Sequence, residues 1–134
     1  MTALAPLAPT NADRLLRVPP PDWAECFDRL SRSHEGWLAT LTTFDEARGE
    51  QIEARGLPLG GVVYEAPTKA VEIRLGPLAH SVTDVSRVWL RVGADGAEKA
   101  LELASADATH ALLEFRSALP TEMVNGLAPA PIGE

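Results

Sequence analysis

From Trp23 onward the apolar positions recur at helical spacing. Trp23, Cys26, Phe27 and Leu30 stand at i, i+3, i+4 and i+7, while Asp28, Arg29 and Arg32 point away from that stripe. Asp22 occupies the position of an N-cap, Glu25 completes a capping-box-like pair, and Gly36 is placed to end the element in a left-handed turn. The spacing predicts a helix over 22–34. After Gly36 the period falls from 3.6 to 2. Residues 37–44 are β-branched and aromatic-rich, and 50–55 alternate with Ile52 and Ala54 inward. The run Gly56–Gly61, with Pro58 inside it, bends or breaks that strand before Val62-Val63-Tyr64, at an edge or a corner. Three clean alternators follow. Val71, Ile73 and Leu75 face inward in 70–75; Val88, Leu90 and Val92 in 85–92; Ala111, Leu113 and Phe115 in 110–116. Residues 98–104 add Leu101 and Leu103.

No helix-period segment separates the strands, so no βαβ crossover is available and the sheet is antiparallel. The expected fold is α+β: one N-terminal helix packed on a curved antiparallel sheet or small barrel of about six strands. The flanks are different in kind. Residues 1–21 are rich in Ala, Leu and Pro and end in Pro19-Pro20-Pro21, which reads as an extended arm in which 13–18 has room for one helical turn. Residues 117–134 carry prolines and glycines without apolar period and read as a flexible tail. The single domain is then 22–116.

With these elements in place, the chain resembles a small bacterial family of uncharacterised single-domain proteins. The likeness lies in Trp23 and Phe27 on the helix, the corner Ser31-Arg32-Ser33-His34-Glu35-Gly36-Trp37-Leu38, Leu57-Pro58-Leu59, His80-Ser81-Val82, and the closing Ala111-Leu112-Leu113-Glu114-Phe115-Arg116. It covers nearly all of 22–116 and implies no activity. A helix followed by a bent meander with a glycine corner is also similar in architecture to the Sm-like barrel, an analogy of fold and not of function.

Charge narrows the partners. Nineteen acids against twelve bases give the 134-residue chain a net charge of −7. That disfavours a nucleic-acid backbone, which needs a basic face. Only 61–92 is weakly positive, with three acids to four bases. The N-terminus lacks a basic region ahead of its apolar residues, and no stretch approaches the roughly 20 apolar residues of a membrane span. A cytoplasmic protein with Cys26 as a free thiol is expected; one cysteine makes no internal disulfide.

The chemistry-bearing residues are sparse. His34, His80 and His110 include no short-spaced ligand pair with each other or with Cys26, so no metal and no cofactor are expected. His34 sits in the last helical turn, where its ring can bond free carbonyls. Cys26, on the apolar stripe, is a small core hydrophobe. Ser81 beside His80 is a sequence neighbour only, and no catalytic residue is assigned, since no nucleophile-elbow, P-loop or dinucleotide motif occurs. The most informative surface signal is Arg87-x-Trp89-x-Arg91, three residues on the face opposite Val88 and Leu90, to which Leu112 adds on the last strand. Aromatics and arginines are enriched at binding hot spots. Either this is a partner surface, or the N-terminal arm or the helix covers Trp89 within the chain. The leading expectation is a non-enzymatic protein-interaction module that self-associates. The alternative is a binder or enzyme for a small anionic ligand near His34 and His80, and the third is a nucleic-acid-binding small barrel.

Overall fold

A computed structural model describes residues 13–116. The strands are β1 (Arg14–Val18), β2 (Leu38–Asp45), β3 (Gly49–Glu65), β4 (Ala70–Leu75), β5 (Leu78–Val82), β6 (Val85–Val92), β7 (Glu98–Ser105) and β8 (His110–Arg116); the helix α1 is Trp23–Ser33. All strand pairs are antiparallel, and the sheet order is β1-β6-β7-β8-β2-β3-β4-β5. The α+β class and the antiparallel sheet agree with the sequence. The strand count does not. The described residues form eight strands instead of about six, and the sheet is open, not closed into a barrel.

Two additional strands account for the count, and a third difference joins two segments into one. Arg14–Val18, within the stretch that reads as an arm with room for a helical turn, is β1 and pairs along its length with β6. Two arginines in five residues hide its strand character. Leu78–Val82 is β5, too short and too weakly alternating to stand out. The two segments either side of Gly56–Gly61 form one strand of 17 residues. Its first half, up to Pro58, pairs with β2, and its second half, from Leu59, pairs with β4. Pro58 sits at the hand-over, where its missing N–H costs no ladder bond while its carbonyl accepts the Gly76 amide at 2.8 Å. Gly56, with φ of +63°, supplies the left-handed residue at the irregularity just before it.

The helix begins differently from the expected capping box. Asp22 makes no side-chain cap bond. Instead Pro20–Asp22 form a 3-10 turn, so the proline triplet is not polyproline throughout, and the Trp23 N–H donates to the Pro20 carbonyl. Prolines fit at a helix start because their missing N–H would be unpaired there anyway. Trp23, Cys26, Phe27 and Leu30 are all buried, as their spacing predicts. The helix packs on β3. Ser31 fastens it: its hydroxyl donates to the Phe27 carbonyl at 2.7 Å and accepts the Val62 amide at 2.8 Å. Trp23 Nε1 donates to the Val18 carbonyl at 2.8 Å, which ties the helix to β1. The inward faces of the strands complete one core that includes Leu41, Ile73, Leu75, Val88, Leu101 and Leu113. The expected tail at 117–134, and residues 1–12 of the arm, lie outside the described residues.

Candidate functional site

The other face of the sheet carries the candidate site. Residues directly opposite one another on antiparallel strands share a face. One continuous row runs Arg17–Trp89–Glu102–Leu112–Thr42–Ile52 across β1, β6, β7, β8, β2 and β3. Trp89 and Leu112, expected as parts of one patch, share this row with Glu102 between them. The Arg87 guanidinium lies 5.6 Å from the centroid of the Trp89 ring, and Arg91 pairs with Glu102 at 2.7 Å. All four expected interaction residues, Arg87, Trp89, Arg91 and Leu112, are therefore on one face. Neither α1 nor β1 roofs Trp89. The helix lies on the opposite side, and β1 runs beside β6 with Arg17 next to the ring in the plane of the sheet.

The relief of this face is uneven. Ala100 and Ala104 are only 1% exposed and Thr42 7%, because longer side chains on the flanking strands rise above them. Ile52 is 47% exposed, Leu15 53%, and Phe44 36%. A hollow of about 850 Å³ opens between the two ends, with Thr40, Thr42 and Ala100 as lining on the central strands, Ile52 on β3, and Arg91 and Lys99 on the far side.

Ile52 corrects an expectation. The sequence places it inward with Ala54, but β3 bulges at Glu53: Leu41 opposes Ala54, whereas Thr42 opposes Ile52. One extra residue reverses which side the following side chains take. Sequence alternation alone carries no signal for that reversal, apart from the polar Gln51 standing opposite the buried Thr43.

The two histidines of the alternative site are not brought together. His34 is buried at the end of α1, its Nδ1 3.1 Å from the Leu30 carbonyl, stacked on Phe115 at 4.5 Å and edge-on to Trp37 at 4.6 Å. That is the helix-end role its position predicts. His80, on β5 opposite Ile73, borders a separate hollow of about 220 Å³ that it shares with Thr43, Asp45, Arg48, Ser105 and Asp107. Asp45 and Asp107 both sit below the usual carboxylate range, chiefly because the backbone N–H groups of Arg48 and Thr109 donate to them. His110 is on the outer face opposite Phe44. Burial pushes the Cys26 thiol up, with Arg29 pulling weakly the other way. Among the described residues no group of three or more His, Cys, Asp or Glu is arranged to hold a metal ion, and no helix is long and apolar enough to cross a membrane.

The molecule is thus an α+β domain with one sheet face spent on the core and the other carrying an uneven, mixed surface. The chain belongs to DUF5335, a family of unknown function, whose pattern matches residues 15–123. That match takes in all of β1 but Arg14, a segment that reads from sequence as an arm. No curated protein and no solved structure matches the chain.

Proposed function

We propose that the protein is a non-enzymatic interaction module that pairs with a second copy of itself through the outer face of the sheet. One observation carries this reading: a knob and a hole occur in the same row. Trp89 stands on β6, and three strands along Thr42 lies low between Leu112 and Ile52. A two-fold interface needs both shapes on one patch, since each copy offers its knob to the other's hole. The charges along the row are mixed: Arg17 and Arg87 stand beside Trp89, and Asp13, Glu50 and Glu114 line the hollow together with Arg55, Arg91, Lys99 and Arg116. The mixture of a half-buried Trp89, arginines and exposed Ile52 and Phe44 is closer in composition to an interface than to an ordinary solvated sheet face. The reading keeps the cytoplasmic setting expected from the sequence. The small-anion alternative has less support, because His34 is sealed beneath Phe115 and Trp37.

Light scattering tests it. The wild-type chain should be a dimer, and Trp89→Ala a monomer with unchanged circular dichroism. Thr42→Arg, which fills the hole, should have the same effect from the other end of the row. A wild-type chain that stays monomeric at high micromolar concentration refutes the reading.

A further inference from the structure

Among the described residues the sheet ends at β1 on one side and at β5 on the other. An open edge presents backbone N–H and C=O groups to any extended chain, and proteins guard such edges with charge and proline. These two edges are guarded unequally. β1 carries Arg14 and Arg17 and is followed by Pro19, Pro20 and Pro21. β5 reads Leu78-Ala79-His80-Ser81-Val82, with no charge and no proline inside it. Its hairpin with β4 closes through the two residues Gly76-Pro77, with Leu75 opposite Leu78, Ile73 opposite His80 and Val71 opposite Val82. The pair flanking a two-residue turn exchanges both hydrogen bonds, and every second pair after it does the same. Leu78, His80 and Val82 therefore bond to β4, and the N–H and C=O of Ala79 and Ser81 point outward. Among the described residues β5 pairs with no strand other than β4.

The 220 Å³ hollow lies alongside the C-terminal half of this strand, where His80, Ser81, Val82 and Thr83 border it. Its two carboxylates differ. Asp45 is neutralised by Arg48 at 3.1 Å. Asp107 accepts the Thr109 amide at 3.0 Å and has no cationic partner among the described residues. Those hydrogen bonds hold its carboxyl below the usual range, so it stays ionised at neutral pH. The hollow thus presents one uncompensated negative charge beside an unguarded edge, on a chain whose net charge is −7.

We propose that β5 is a docking edge for an extended, basic peptide segment, which adds to the sheet as a further strand and sets a Lys or Arg side chain against Asp107. Main-chain bonds to Ala79 and Ser81 supply affinity, and the carboxylate selects the side chain. Ala79 and Ser81 are small and exposed, so nothing on β5 itself bars the approach. The acidic chain attracts a basic segment at long range. This edge is distinct from the outer face and does not depend on dimer formation.

The test is amide-resolved NMR titration of the full chain with a short blocked peptide of alternating Thr and Lys, and with its Thr and Glu twin. The basic peptide should shift the amides of Ala79, Ser81 and Asp107–Thr109 saturably, and the acidic twin should bind at least about tenfold more weakly. Ser81→Pro and, separately, Ala79→Pro remove an outward N–H and should abolish binding. Asp107→Asn should reduce the basic peptide to the level of its twin. The proposal fails if the wild-type β5 amides do not move, if both proline variants bind as wild type does, or if the two peptides bind equally. It also fails if these amides shift with protein concentration alone, which would make β5 a contact between copies.

Discussion

The two faces of β6, β7, β8 and β2 are built from the same strands and obey different rules. On the inner face Val88, Leu101, Leu103, Ala111, Leu113 and Leu41 are at most 2% exposed, and one apolar residue follows another. On the outer face, Trp89 and Leu112 alternate along a row with Glu102, and small residues sit beside long ones. The inner face is required by folding, because the area it buries drives the chain together. Folding does not require a Trp on the outer face. The contrast teaches that residues which break the polar pattern of an otherwise solvated face are the ones to interrogate for function.

Substitutions on the two faces should have effects of very different size. The largest effect belongs to the inner side: Phe27→Ala empties a fully buried site between α1 and the sheet and should cost about 3–5 kcal/mol in urea unfolding. Ser31→Ala comes next. It leaves the buried Val62 amide without its acceptor and should cost about 1–3 kcal/mol by the same measurement. Ile52→Thr, on the outer side of the same long strand, should change monomer stability by less than about 0.5 kcal/mol while weakening self-association in sedimentation equilibrium. A large stability loss there would place Ile52 in the core after all. The smallest effect concerns the turns. The folded carboxyls of Asp45 and Asp107 lie below their unfolded values, so the stability they contribute is present above about pH 4 and is lost as pH falls through the folded values. In an acid titration followed by NMR, the amides of Arg48 and Thr109 should move before any core amide does.

Much of the inner face was legible in the sequence because period 3.6 and period 2 report burial directly. Trp23, Phe27 and Leu30 on the helix, and Ile73, Val88, Leu101 and Leu113 on the strands, are where their spacing puts them. The failures have two physical origins. β1 and β5 are edge strands, held by one neighbour each, so few of their residues need be apolar and the period fades. The bulge at Glu53 inserts one residue, and no pattern of alternation survives that. The Arg87, Trp89, Arg91 and Leu112 group was legible because it violates its own strands' pattern. Its continuation to Thr42 and Ile52 depends on which strands are neighbours, and β2 lies next to β8, the last strand of the domain, by a pairing that no local signal announces.

That pairing of β2 with β8 also governs how the chain reaches its fold. Leu38 meets Arg116 and Phe44 meets His110, so the central strand of the sheet waits for residues some seventy positions downstream before one of its sides is satisfied. Closing such a loop brings entropy cost before contact, and topologies dominated by distant pairings fold slowly. On a ribosome, β1, α1, β2 and β3 emerge in that order, and the segment Leu38-Ala39-Thr40-Leu41-Thr42-Thr43-Phe44, which carries no charge, stands with an open side until β8 is made. An uncharged, exposed strand is a template for pairing between chains. The interval between synthesis of Phe44 and of Arg116 is therefore the period in which one side of β2 lacks its native partner.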